Sequence, residues 1–414
     1  MKTTKQILIA ACWLCCGVAA ALTALTALTA LTTLTACTSK QSPQTSYHVA
    51  GTIAGLPDNT VLTLTPVSHD REQPLAEAVV SGGKFEFQGE REFPIMVRLA
   101  VKDSWGGTVL MLENVDIAIE GTAEVKPGEG GNPSTVSFND LKITGSPLTD
   151  KLRSYQARRD SLDVLYKEYH ERNKEGQELM MQARQSKDPA KMKAAQDNES
   201  WKAFEADEHK FFQTVESTFQ AIIDENKDTY WGPMMAIYLY SYFTPEQQAL
   251  FKSFSKEAQQ SYYGEKMRDE VFPGGEVGSP AKAFTVKGDD GKELTLKQLS
   301  EGKKVVLIDF WASWCAPCRK EIPNVKAQYA KYKDKGFQVV SISIDKDEAA
   351  WRKALAEEKL EWPNFIDRSG AADVYKVRTI PAMFLVDAQT QNIIAAGDNA
   401  RGEALAAKLA ELFK

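Results

Sequence analysis

Two cysteines, Cys315 and Cys318, stand in the stretch Trp311-Ala312-Ser313-Trp314-Cys315-Ala316-Pro317-Cys318-Arg319-Lys320-Glu321-Ile322-Pro323. An apolar, β-like run over residues 305–310 precedes the pair and a helical pattern follows it. C-x-x-C at such a strand-to-helix junction reads as a redox dithiol. The chemistry needs that junction, because a cysteine at a helix N-terminus meets the positive end of the macrodipole and unpaired backbone N–H groups. Both favour the thiolate, which is the nucleophilic form. Two intervening residues let the second sulfur reach back and close a disulfide. The competing use of such a pair is half of a structural zinc site, which needs two further Cys or His ligands. The nearest histidine in sequence is His209, and no other cysteine lies downstream of Cys37.

A chain of 414 residues exceeds one ordinary domain, so two or three are expected. Its net charge of −6, without a basic cluster, argues against nucleic acid as a partner. The other four of its six cysteines, Cys12, Cys15, Cys16 and Cys37, lie in the first 37 residues. The remaining body therefore holds the C-x-x-C pair alone, with no stray thiol to trap an exchanging one.

Residues 1–36 read as a signal peptide: Lys2 and Lys5 form a positive start, residues 7–22 are apolar, and Leu-Thr-Ala triplets run to Leu34-Thr35-Ala36-Cys37. That tetrapeptide resembles a bacterial lipobox, which implies cleavage before Cys37 and its acylation. Several acyl chains anchor stably in a bilayer. The rival is a retained transmembrane helix, for which the run is long enough, although its second half is Thr-rich and no stop-transfer charges follow. Residues 37–46 then form a polar, acylated tether. Thr38, in place of Asp, points to the outer rather than the inner membrane, facing the periplasm.

Residues 47–147 read as all-β. Short alternating runs are separated by turn signals, and Phe85 and Phe87 share one face after Ser81-Gly82-Gly83. A small sandwich or barrel is expected. Residues 148–271 change character to a helical domain with two apolar stripes. One carries Leu152, Tyr155, Leu162, Leu165, Tyr166 and Tyr169, and the other Phe204, Phe211, Phe212, Val215, Phe219, Ile222 and Ile223. Such stripes are core, or else a docking face for a client or a second copy. Pro189 and Gly232-Pro233 punctuate the run, and Thr244 is an N-cap candidate. His48, His69, His170 and His209 lack ligand-like neighbours, so no metal site is expected. After a linker come strands at 284–286, 294–296, 305–310, 337–344, 383–386 and 393–395, alternating with helices at 315–335, 348–359 and 403–413. This predicts a mixed sheet covered on both faces.

The run Phe310-Trp311-Ala312-Ser313-Trp314-Cys315-Ala316-Pro317-Cys318 resembles the active site of the thioredoxin superfamily. Its continuation Arg319-Lys320-Glu321-Ile322-Pro323 resembles the TlpA/ResA branch. The resemblance covers residues 276–414 and implies a C-terminal α/β thioredoxin-like fold. The Gly51-Thr52-Ile53 start and the Gly82-Gly83-Lys84-Phe85-Glu86-Phe87 hairpin are similar to an uncharacterised β-domain that precedes such modules in envelope lipoproteins. By resemblance, Cys315 is the exposed attacking thiol, Cys318 the resolving thiol, and Trp314 part of the site. Pro323 kinks the helix, and Pro381 is a cis-proline facing the disulfide, a trans turn proline being the alternative. Asp309 matches the buried acid that handles the resolving thiol's proton, and Glu321 an acid of the ResA-like branch. Either carboxylate, if buried, would have a raised pKa. Thioredoxin pairs its acid with a lysine from the next strand. Here Ser341 and Ser343 occupy that stretch, which points the proton route toward Glu321. Residues 387–391 replace a tight Gly turn, so a longer hairpin is expected.

The expectation is a lipid-anchored thiol:disulfide oxidoreductase needing no metal or organic cofactor. It reduces disulfide-bearing client proteins and draws electrons from a membrane donor. The alternatives are a disulfide isomerase or oxidase, a thiol peroxidase, and a binding lipoprotein with a secondary redox module. The peroxidase pattern, a cysteine after Pro-x-x-x-Thr, is absent from the chain.

Overall fold

The computed structural model describes residues 44–244, 247–288 and 291–414. The expected signal peptide, Cys37 and the expected tether up to residue 43 lie outside the described residues, as do Pro245-Glu246 and Asp289-Asp290. No helix among the described residues is long and apolar enough to cross a membrane.

The alternating runs of the N-terminal module form β1 (Ser46–Ala54), β2 (Val61–Pro66), β3 (Ala76–Val79), β4 (Lys84–Glu90) and β5 (Ile95–Val101). They continue as β6 (Trp105–Gly106), β7 (Thr108–Leu112), β8 (Asp116–Lys126) and β9 (Thr135–Thr144). One sheet has the order β4-β1-β8-β9-β6 and the other β3-β2-β5-β7. Period-2 alternation puts Val49, Phe85, Phe87 and Ile119 of the first sheet, and Leu62, Leu64, Val97 and Leu99 of the second, into one core.

The helical region comprises α1 (Pro147–Arg172), α2 (Lys174–Ser186), α3 (Pro189–Asp197), α4 (Glu199–Asp224) and α5 (Trp231–Leu239). The short α6 (Gln248–Ser253), α7 (Lys256–Gln260) and α8 (Tyr262–Val271) complete it. Ser146 caps α1 and Asp188 caps α3, each followed by a proline in the first turn. Read as separate, the β module and the helical region instead share a single core. Leu152, Ile222, Met235, Phe251 and Met267 pack with the sandwich residues. Buried polar contacts cross the same seam: Met96 N donates to Tyr263 Oη at 2.6 Å, and Met111 N to Thr149 Oγ1 at 3.1 Å. Gly232-Pro233, expected as a break, lies in the first turn of α5. Amides there have no intrahelical acceptor, so proline costs no hydrogen bond. Met234, Met235, Ile237 and Leu239 of α5 are all buried, each stabilising the fold by about 1.5–3 kcal/mol. The two stripes are core only in part: Tyr169 and Phe204 are buried, whereas Tyr166 and Phe212 are exposed.

In the C-terminal module β10 (Thr285–Lys287) and β11 (Glu293–Thr295) form an antiparallel hairpin running into α9 (Leu296–Leu299). The remaining elements are β12 (Val305–Trp311), α10 (Ala316–Tyr332), β13 (Phe337–Ser343), α11 (Glu348–Glu358), β14 (Asn364–Ile366), α12 (Ala371–Val374), β15 (Ala382–Asp387), β16 (Ile393–Ala396) and α13 (Gly402–Leu412). Their sheet has the order β14-β13-β12-β15-β16, with β12 parallel to β13 and antiparallel to β15. Every residue of β12 and of β13 is buried, as expected of central strands covered on both faces. Val306, Ile308 and Phe310 pack with Phe284 and Tyr375 on one side, and Val305 and Leu307 with Val325 and Leu405 on the other. Between β15 and β16, Asp387 Oδ1 accepts from the amides of Gln389 and Thr390 at 3.0 and 2.7 Å. Gln391, at φ 59°, takes the left-handed position that a glycine would otherwise fill.

Candidate active site

The central strand β12 ends at Trp311, and four residues later Cys315 is the N-cap of α10. Pro317 in the first turn suits a helix start, where its missing N–H costs nothing. Cys315 and Cys318 are joined by a disulfide with an S–S distance of 2.06 Å and a Cα–Cα distance of 5.3 Å. The Cys318 backbone N lies 3.2 Å from Cys315 Sγ. That amide is one of the unpaired donors of the helix start, and it is placed to stabilise a thiolate on Cys315. Ile380-Pro381 is a cis peptide bond, and the Ile380 carbonyl oxygen stands 3.8 Å from Cys315 Sγ.

The resemblance makes Cys315 an exposed thiol; it is instead 4% exposed, and Cys318 is 2% exposed. The disulfide packs with Trp311, Ala312, Ile322, Trp351 and the partly buried Ile380. Trp314, the residue before Cys315, is 67% exposed.

Asp309 lies two residues before the end of β12, opposite Ser341 of β13. That register brings Ser341 Oγ to 2.9 Å from Asp309 Oδ2, to which it donates. Ser341 Oγ in turn accepts from Trp362 Nε1 at 2.9 Å. A neutral hydroxyl, and no lysine, therefore faces Asp309 from β13. Asp309 Oδ1 has no hydrogen-bond partner among the described residues. Burial pushes the Asp309 carboxyl up to about 7; the Ser341 bond opposes the rise and the Glu321 charge adds to it. Glu321, on α10, is half-buried and accepts from Asn324 Nδ2 and from the Gly402 amide, both at 2.7 Å. The Glu321 charge thus acts on Asp309, whose proton affinity is moved toward neutrality.

One contributor was not singled out in the sequence. Asp345, 6% exposed just beyond β13, accepts from Ser313 N at 2.8 Å, Ser313 Oγ at 2.7 Å and Ser343 Oγ at 2.6 Å. These bonds fix the turn two residues before Cys315. The only sequence signal is the Ser341-Ile342-Ser343-Ile344-Asp345 alternation, which places three polar groups at and just past the C-terminal end of β13. Among the described residues, no cluster of three or more His, Cys, Asp or Glu side chains is placed to hold a metal ion.

The chain is similar to known proteins over two of its regions. Residues 277–395 match the AhpC/TSA family, and residues 47–152 match a domain of unknown function, DUF4369. The thiol-disulfide oxidoreductase ResA of one Bacillus cereus strain is 36% identical over 113 residues, 27% of this chain and 64% of that protein. The ResA of Bacillus subtilis (strain 168) is 31% identical over 121 residues, 28% of this chain and 66% of that protein. The chain thus spans just under two thirds of the length of these curated relatives. Among solved structures, the thioredoxin domain of a thiol-disulfide oxidoreductase from Bacteroides vulgatus is 31% identical, with a TM-score of 0.31. The match covers 34% of this chain and 99% of that one. A thiol-disulfide oxidoreductase from Bacteroides fragilis NCTC 9343 is 32% identical, with a TM-score of 0.30, over 32% of this chain and 99% of that one. The chain therefore carries a C-terminal thioredoxin-like domain of the AhpC/TSA family, homologous to the ResA proteins, behind an N-terminal DUF4369 domain.

Proposed function

We propose that this protein is a thiol-disulfide oxidoreductase that reduces disulfides of client proteins in the cell envelope. The observation that carries the reading is the Cys315–Cys318 disulfide at the start of α10, beside the Ile380 carbonyl. The ResA relatives support the class of chemistry.

In the reduced protein the Cys315 thiolate attacks one sulfur of a client disulfide. A bond forms between Cys315 Sγ and that sulfur, the client's S–S bond breaks, and the departing client thiolate takes up a proton. Cys318 then gives its proton to the Asp309 carboxylate and attacks Cys315 Sγ. The mixed disulfide breaks, the second client sulfur leaves as a thiolate and takes up a proton, and two electrons have passed from the pair to the client. An acid of pKa about 7 is suited to hold that proton near neutrality. Restoring the dithiol takes two electrons and two protons, which a membrane electron donor would supply.

The direction of flow rests on Ala316-Pro317. No histidine between the cysteines stabilises the thiolate, so the reduced form is not favoured as it is in strong oxidants. Equilibration with dithiothreitol and glutathione buffers is expected to give a midpoint nearer about −270 mV than about −120 mV. A midpoint above about −180 mV, the value of a disulfide isomerase, would reverse the assignment.

The location is part of the same proposal. Leu34-Thr35-Ala36-Cys37 supports acylation of Cys37, and Thr38 supports delivery to the outer membrane with the folded part in the periplasm. Cys37→Ala is expected to move the protein from the membrane fraction to the soluble fraction, or to leave an unprocessed precursor. Normal processing and membrane fractionation of that variant would exclude the lipobox.

A further inference from the structure

The loop between β2 and β3, residues 67–75, belongs to the N-terminal sandwich, yet its side chains reach both other regions of the chain. His69, whose side chain is 10% exposed, holds Glu270 Oε2 of α8 at 2.7 Å through Nδ1. Its Nε2 lies 2.9 and 2.7 Å from the carbonyls of Ile237 and Tyr240. Glu72 accepts from Ser68 Oγ at 2.8 Å and pairs with Lys266. These contacts tie both flanks of Asp70 to the helical region. Asp70 itself points elsewhere. Its carboxylate accepts from Lys376 Nζ at 2.9 Å and from the Arg378 guanidinium, both in the thioredoxin-like domain. Burial pushes its pKa up, but Lys376 and Arg378 outweigh this and hold the carboxyl below its ordinary value.

Arg378 stands two residues before Ile380-Pro381, the segment whose carbonyl meets Cys315 Sγ. Lys376 sits at φ 52°, a left-handed conformation that a residue with a Cβ does not favour. A second contact from outside the domain's sheet meets residues on either side of that segment. Gly274, at φ 75°, lays its backbone on the rings of Tyr375 and Phe384, where an added Cβ would come within 2.6 Å of both. The segment that carries Ile380 is therefore flanked by a contact from the connector and held by an ion pair from the sandwich.

We propose that Asp70 is a positioning residue for the disulfide site, holding residues 376–381 over Cys315 from the DUF4369 domain. The inference rests on the redox reading of Cys315 and Cys318, and it makes the N-terminal domain a working part of the site. It also explains how sulfur on a surface helix start stays 4% exposed: the covering segment is pinned by another domain.

The test uses the full chain with Asp70→Asn, Asp70→Glu and, from the other side of the pair, Arg378→Ala. Hydrogen exchange is read at residues 376–381 against β12. Asp70→Asn and Arg378→Ala are expected to raise exchange at 376–381 about tenfold or more with β12 unchanged, and Asp70→Glu to stay near wild type, since the first variant takes the charge from both bonds to Lys376 and Arg378, the second removes one of them, and the third keeps the carboxylate. Reduction of the oxidised protein by dithiothreitol, followed by tryptophan fluorescence, should become several-fold faster as the cover loosens. Reduction of insulin disulfides should become slower, because the docking segment is out of place. Unchanged exchange at 376–381, an equal rise throughout the domain, or wild-type dithiothreitol and insulin rates in Asp70→Asn would each overturn the proposal. If the wild type fails to reduce insulin, the redox assignment fails instead, while the exchange and dithiothreitol arms still decide the role of Asp70.

Discussion

Cys318→Ser is expected to accumulate mixed disulfides with client proteins through Cys315, and Cys315→Ser to abolish exchange altogether. The asymmetry follows from the start of α10. Cys315 is the N-cap, with its Sγ 3.2 Å from the Cys318 amide and beside the exposed Trp314. Cys318 is inside the first turn and 2% exposed. The thiolate formed on Cys315, at the N-cap and facing the Cys318 amide, is therefore the better stabilised of the two. With Cys318 gone, attack survives but the second displacement has no nucleophile, so the covalent intermediate persists until an external thiol arrives. Steady-state turnover should fall by about 10³-fold or more in either variant, the scale of losing a nucleophile that acts as part of a unit. Non-reducing electrophoresis of the two variants in envelope extracts separates them: adducts with Cys318→Ser, none with Cys315→Ser. Adducts that need Cys318 and form without Cys315 would invert the roles.

The C-terminal module was legible because its signals are local. The apolar run of β12, the proline in the first turn and the C-x-x-C spacing all fall within a short segment. Residues whose meaning depends on partners far along the chain were harder to read. Cys315 is buried by a segment 65 residues away. Asp345 gains its role only when the pairing of β13 with β12 brings it under Ser313. Ser341 could be seen as the absence of a lysine, but its bond to Asp309 follows from the register. The apolar stripes of α1 and α4 gave the helices, yet periodicity cannot say which neighbour covers a stripe. It therefore missed both the core shared with the sandwich and the exposure of Tyr166 and Phe212. His69 looked isolated because Glu270 is 201 residues away.

Asp309→Asn is expected to stabilise the oxidised protein at alkaline pH while slowing the resolving step. The Asp309 carboxyl rises from the ordinary 3.8 to about 7 because it is buried on β12 and one hydroxyl is its only hydrogen-bond donor among the described residues. Between pH 4 and pH 7 the folded protein holds a proton there that the unfolded chain has released. Stability from this group is therefore complete below pH 4, falls as pH rises, and is lost above pH 7. At about 1.4 kcal/mol per tenfold change in proton affinity, the loss amounts to roughly 4 kcal/mol. Asparagine keeps an acceptor for Ser341 Oγ and carries no charge, so it removes the dependence. Denaturant melts of the oxidised forms should show wild type and Asp309→Asn close together at pH 4 and diverging to pH 8, with the variant the more stable. Resolution should move the other way. Without a carboxylate to take the Cys318 proton, decay of a preformed mixed disulfide is expected to slow by about 10²-fold at pH 7, the lower end of what a positioned base contributes. That deficit should shrink as pH approaches the ordinary thiol range and solvent deprotonates Cys318 unaided. Parallel stability–pH curves for the two proteins would show that Asp309 is already ionised in the fold, and would remove it from the proton route.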